Sequence, residues 1–147
     1  MGISWSNNNT TIKYGWKPDL PDKRDFYHNF YADLRTSIPN KVDLRSNCPE
    51  IYNQGKLGSC TANAIAAAYE FDEKKQENNE LCPNDRFIPS RLFIYYNERA
   101  IEHTINTDLG ANIRDGVKSI NTDGVCSEKE WPYDIQKFKD KPPKQCY

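Results

Sequence analysis

Histidine is scarce: the 147 residues contain two, His28 and His103. With no paired histidines and no CxxC among the five cysteines, a structural zinc site has little to build on, and no cofactor is expected. No apolar run approaches the roughly 20 residues of a membrane span. The opening "MGISWSNNNT" lacks the apolar core of a secretory signal. It fits the loose M-G-x-x-x-[ST] pattern for myristoylation through Gly2 and Ser6, and equally a plain initiator methionine. Charge of one sign is also missing. Lys and Arg total 20 against 21 Asp and Glu, so no basic excess argues for nucleic acid, nor for an acidic membrane surface. Hydrophobic residues are 37%, low for a self-sufficient fold, so some apolar surface is expected to await a partner.

The length suits about one domain, and 9 Tyr, 6 Phe and 3 Trp supply bulk for one core. Cysteines stand at 48, 60, 82, 126 and 146, an odd number that leaves a free thiol even if two bridges form. Without a secretory signal, reduced thiols are expected at least as readily as bridges.

Residues 1–37 read as an irregular extension. "SNNNTT" is polar and repetitive, and Gly15, Pro18 and Pro21 interrupt the stretch after it. Trp5, Tyr14 and Trp16 are expected to dock, either on the chain's own surface or as part of a pro-segment lying over a cleft. Val42 and Leu44 alternate with polar neighbours, which predicts a short edge strand. Ala62, Ile65, Ala66 and Tyr69 share one face of a helix that starts at Cys60, and Ala64, Ala67, Ala68 and Phe71 make its other side apolar too. Such a helix belongs between two bodies of protein. It is expected to end in solvent from Glu70 on. Ser90 is a candidate N-cap for a second helix with an inner stripe of Leu92, Phe93, Tyr96 and Ala100. Ile113, Val117 and Ile120 predict a third, and Ser127 with Glu130 form a capping box.

The chemistry concentrates in Asn53 to Cys60, "NQGKLGSC". A free thiol is mostly protonated at neutral pH, and the N–H groups and dipole of a helix N-terminus favour the thiolate. Gly55 and Gly58 let the backbone turn into the helix. First-turn N–H groups, with the Gln54 side chain beside them, are placed to bind an oxyanion. A buried thiol in a tight turn fits the same residues, and the loop alone does not separate the two readings.

"IPNKVDLRSNCPEIYNQGKLGSCTANAIAAAYEF" resembles the papain family of cysteine peptidases, and looks closest to the papain-like group of bacteria and large viruses. Val42-Asp43-x-Arg45, Gln54-Gly55 and Gly58-Ser59-Cys60 match in order and spacing. Farther on, Gly110-Ala111 stands at the family's Gly-Gly pair, and Trp131-Pro132-Tyr133 at its Y-P-Y. The resemblance covers roughly residues 38–134. It implies an α+β papain-like fold, present here mainly as the helical half (38–147) behind the extension (1–37), without the β-rich half. It implies Cys60 as nucleophile and Gln54 with the Cys60 N–H as oxyanion hole. Gly58, Ser59, Gly110 and Ala111 would line the path of a peptide or protein substrate.

Departures are also visible. Thr61 replaces the aromatic residue usual after the nucleophile. The family's disulfide joins positions held here by Leu57 and Asp108, so that staple is missing at both ends and the other cysteines inherit no pairing. Ala111 in place of glycine slightly narrows the substrate path. The family's base, a histidine oriented by asparagine, follows the nucleophile by about 130–150 residues, beyond Tyr147. His28 precedes Cys60, and His103 reads as a solvated helix-end residue. The expectation is therefore a cysteine peptidase whose histidine and asparagine lie on a companion polypeptide, the chain being processed or truncated and inactive alone, with 1–37 blocking the cleft. The alternative is a non-catalytic papain-like interaction or regulatory module. The location stays open, cytoplasmic or virion-associated.

Overall fold

The computed structural model describes residues 14–25, 39–76 and 87–147. Gly2, Trp5, Ser6, His28 and Cys82 lie outside the described residues. Three helices make the frame: α1 (Cys60–Gln76), α2 (Arg91–Ile101) and α3 (Ile113–Asp123). A two-stranded parallel sheet joins β1 (Trp16–Lys17) of the extension to β2 (Ala111–Asn112), with Trp16 opposite Ala111 and Lys17 opposite Asn112. This helix-rich unit with a small sheet is the mainly helical α+β arrangement expected, and one of its two strands comes from the extension.

α2 is the centre. Its cap is as the sequence predicts: Ser90 Oγ accepts the Phe93 N–H at 3.2 Å. Its burial is not. Every residue from Leu92 to Arg99 is buried, rather than one stripe. α1 and α3 cover two sides, and Trp131, Tyr133 and Phe138 of the C-terminal segment pack against the shared core. The polar members of α2 are therefore bonded inside the protein. Arg99 donates to the carbonyls of Tyr95 (2.9 Å), Ile105 (2.7 Å) and Phe138, tying the loop after α2 to the C-terminal segment. A buried guanidinium is tolerated when its fork is filled this way.

α3 turns inward only part of the face its apolar spacing predicts: Ile120 packs against the core. Ile113 and Val117 are 40% and 54% exposed, while Gly116 and Ser119 are buried. The reason is close approach. A Cβ on Gly116 would lie 2.4 Å from Ile65 Cδ1 and 2.7 Å from Glu98 Oε2. A glycine and a serine let α3 sit against α1 and α2, and that packing outweighs the burial of two aliphatic side chains.

Two further expectations fail locally. Val42 and Leu44 form no strand and are exposed. Asp43 Oδ1 accepts from both the Arg45 backbone and its side chain, closing a turn into the 3-10 segment Arg45–Asn47. α1 does not reach solvent at Glu70, which is buried and accepts from the Tyr52 hydroxyl. The Ser127–Glu130 box does form, with Glu130 accepting from the Ser127 N–H (3.1 Å) and Ser127 Oγ from the Lys129 N–H (3.1 Å), but it closes a single turn. Among the described residues, no helix is long and apolar enough to cross a membrane.

Candidate active site

The loop before α1 is built by short-range bonds. Asn53 Oδ1 accepts the Gly55 N–H at 2.9 Å, and Gly55 takes φ +62°, a left-handed value that favours glycine. Leu57 is buried beneath the loop. Ser59 is fully buried, its hydroxyl shared with Tyr133 Oη (2.5 Å) and accepting from Asn63 Nδ2 (3.0 Å). Tyr133 also donates to the Gln54 carbonyl at 3.0 Å. The tyrosine of the Trp131-Pro132-Tyr133 segment thus braces the loop from behind, and the Ser59 side chain is committed to that brace. Cys60 follows as the first residue of α1 and is partly exposed. Gln54 Nε2 donates to the Leu57 carbonyl at 3.0 Å.

The second segment arrives through Asp108. Its Oδ1 accepts the Gly58 N–H at 2.9 Å and the Tyr95 hydroxyl at 2.5 Å. Of the two positions where the family carries its staple, Asp108 still holds loop and segment together, by hydrogen bonding in place of sulfur, and Leu57 packs into the shared core. Asp108→Ala leaves a buried N–H and hydroxyl without this acceptor, each costing about 1–3 kcal/mol. The thermal midpoint is expected to fall by about 10 °C, and by less in Asp108→Asn, whose amide oxygen still accepts. Equal midpoints for Asp108→Ala and the parent would show that this bond does not hold the two segments.

Between these segments lies the extension. Gly15 is buried, and its carbonyl accepts the Ala111 N–H at 2.9 Å. A Cβ on Gly15 would fall 1.9 Å from the Gly58 oxygen and 2.7 Å from Gly110 Cα. Gly110, at φ +77°, would place a Cβ 1.6 Å from the Gly15 oxygen. Three glycines from three segments therefore touch backbone to backbone, two residues from Cys60. Ion pairs hold the arm beyond that point. Lys17 Nζ meets Glu102 Oε2 at 2.8 Å, and Arg114 meets Asp22 at 3.2 Å and Asp25 at 2.8 Å. Of its described aromatics, Tyr14 and Trp16 do not dock it: they are 66% and 57% exposed.

Behind Cys60, Thr61 Oγ1 donates to Glu98 Oε1 at 2.7 Å. Glu98 is fully buried and its Oε2 has no partner. Burial pushes its carboxyl up to about 8, against some lowering by the Thr61 bond. A carboxyl raised from 4.5 in this way binds its proton more tightly folded than unfolded. Its contribution to stability is complete below pH 4.5 and is lost as pH rises through 8. Glu98→Gln keeps the shape and cannot ionise. Its midpoint is expected to match the parent near pH 4.5 and to exceed it by several degrees at pH 9, in a denaturation series across that range. A parallel pH dependence in both proteins would remove Glu98 as the cause.

His103 is exposed in the turn after α2, at φ +58°. The Thr104 N–H bonds back to the Arg99 carbonyl at 2.8 Å, the habit of a helix C-terminus.

No family model matches the chain. It is 45% identical over 150 residues to an uncharacterised peptidase C1-like protein of Acanthamoeba polyphaga mimivirus, a stretch that covers 91% of this chain and 47% of the relative. The fold matches the crystal structure of xylellain, a cysteine protease from Xylella fastidiosa, with a TM-score of 0.75 at 42% identity. That match covers 98% of this chain and 56% of xylellain. The chain thus spans about half the length of either relative.

Proposed function

Because the chain belongs to the papain family of cysteine peptidases and carries the helical half of that fold, we propose that it is the nucleophile-bearing part of a peptidase whose base lies on the other half. The observation that carries this is Cys60 at the open end of α1, beside a glycine strip held to it by Asp108.

In the proposed reaction the Cys60 thiolate attacks a peptide carbonyl. The Cys60 N–H and the Gln54 amide, which also donates to the Leu57 carbonyl, donate to the oxyanion. The Gly110–Ala111 backbone pairs with the substrate chain. The proton moves to a histidine of the other half, which returns it to the leaving amine. Ala64 and Ala68 of α1 are exposed, beside a groove of about 470 Å³ lined by Ile51, Tyr52, Ala67 and Phe71, and Ile51 is 100% exposed. This is the face the β-rich half would cover, closing the cleft over Cys60.

Gly15 to Lys17 act as an intramolecular block. They hold the Ala111 N–H and the contact surfaces of Gly58 and Gly110 that a substrate backbone would need.

A fluorogenic peptide amide tests the reading. The chain alone should be inert, and the chain joined to its β-rich half and freed of residues 1–37 should turn the peptide over. No turnover by that two-lobed protein would leave only a binding role.

A further inference from the structure

Two cysteines outside the candidate site share one buried cluster. Cys126 follows the Gly124 turn that ends α3, and Cys146 belongs to the 3-10 segment Lys144–Cys146. Each is 5% exposed, and both sit in one buried cluster with Phe93, against which Trp131 packs. Both side chains pack in this one cluster as free thiols. Both backbones are anchored. The Cys126 carbonyl accepts the Ser90 N–H at 2.8 Å, at the cap of α2. The Cys146 N–H donates to Pro143 at 2.9 Å, and the next residue, Tyr147, packs its ring on Phe93 (5.0 Å between centres) and donates to Asn97 Oδ1 at 2.8 Å.

We propose that Cys126 and Cys146 form a disulfide that fastens the C-terminal turn to the start of α2. The oxidant is a small-molecule disulfide of the glutathione type. One protein thiolate attacks it, giving a mixed disulfide and one released thiolate. The second protein thiolate attacks the protein sulfur of that mixed disulfide, closing the Cys126–Cys146 bond and releasing the second small thiolate. The two released thiolates take up the two protons that the protein thiols gave. This staple is not the one implied by the family resemblance, whose positions are Leu57 and Asp108. It closes a loop containing Trp131-Pro132-Tyr133, and so steadies the tyrosine that braces Ser59 and Gln54.

Burial and the neighbouring Cys146 push the Cys126 thiol up to about 12. The folded Cys126 thiol is therefore slow to exchange, and the bond forms while the chain folds. The test is to refold the chain in mixtures of reduced and oxidised glutathione, block free thiols with iodoacetamide, and map the digest by mass. The expected result is a Cys126–Cys146 cross-linked peptide, with Cys48 and Cys60 alkylated. The oxidised wild type should melt about 10 °C above the reduced form, a gap that disappears in Cys146→Ser. Alkylation of both thiols at every glutathione ratio would overturn the proposal, as would a link from either to Cys48, Cys60 or Cys82. The wild-type map decides this even if the variant fails to fold.

Discussion

Cys60→Ala is expected to reduce peptide hydrolysis by the two-lobed protein by about 10⁴-fold or more, with little change in thermal midpoint. The thiol is the only part of the proposed machinery that the substitution removes. The backbone N–H at position 60 remains, and so does the Gln54 amide. What is lost is the covalent step, and no neighbouring group replaces it. The Ser59 hydroxyl is buried against Tyr133 and Asn63, so it cannot take over. The side chain of Cys60 is partly exposed at a helix start, which limits the cavity that alanine leaves. Gln54→Ala should show the contrasting pattern: a smaller loss of about 10²–10³-fold, falling mainly on kcat. Equal, slight losses in both variants would mean the active centre lies elsewhere.

Gly15→Val should open the cleft. The contact it disrupts is between backbones, so the clash cannot be relieved by a rotamer change. A β-carbon 1.9 Å from the Gly58 oxygen forces the arm off the loop. The ion pairs of Lys17 and Arg114 are partly exposed, and such pairs contribute little on their own, so they cannot hold the arm against that clash. The frame of α1, α2 and α3 does not depend on Gly15. Alkylation of Cys60 in the variant should run at least about tenfold faster than in the parent, since each 1.4 kcal/mol of destabilised closure is a factor of ten in open population. Reversing charge at Arg114 should give a smaller change, suppressed by salt. An unchanged rate in Gly15→Val would mean that the arm does not guard the thiol.

Much of the frame was legible because it rests on local signals. The Gly-rich loop into a small-residue helix, the Ser90 cap and the single-turn box at Ser127 each depend on a few adjacent residues. What could not be read depends on distant partners. The apolar spacing of Ile113, Val117 and Ile120 describes a stripe, but α3 is placed by Gly116, whose missing side chain carries no hydrophobic signal. The extension looked as though it should dock by Trp16, and it docks by Gly15, the residue that reads as a mere interruption. Glu98 looks like any polar residue of an amphipathic helix. Only the cover supplied by Thr61 and α3 makes it a buried carboxyl. Asp108 stands out in the sequence only as a position without a sulfur, while its bonds to Gly58 and Tyr95 depend on the fold. Within the candidate site, Cys60 and the two glycines could be named from motif order. Tyr133 could be named too, but its bracing role could not.

The most direct test of the central claim is a competition among the cysteines. The chain, with and without residues 1–37 and with and without the β-rich half, is treated briefly with a peptidyl epoxide at mildly acidic pH and mapped by mass. Selective modification of Cys60, fastest when the arm is absent and the β-rich half present, is the predicted result. Slow, equal modification of the exposed Cys48 and of Cys60 under all four conditions would contradict it.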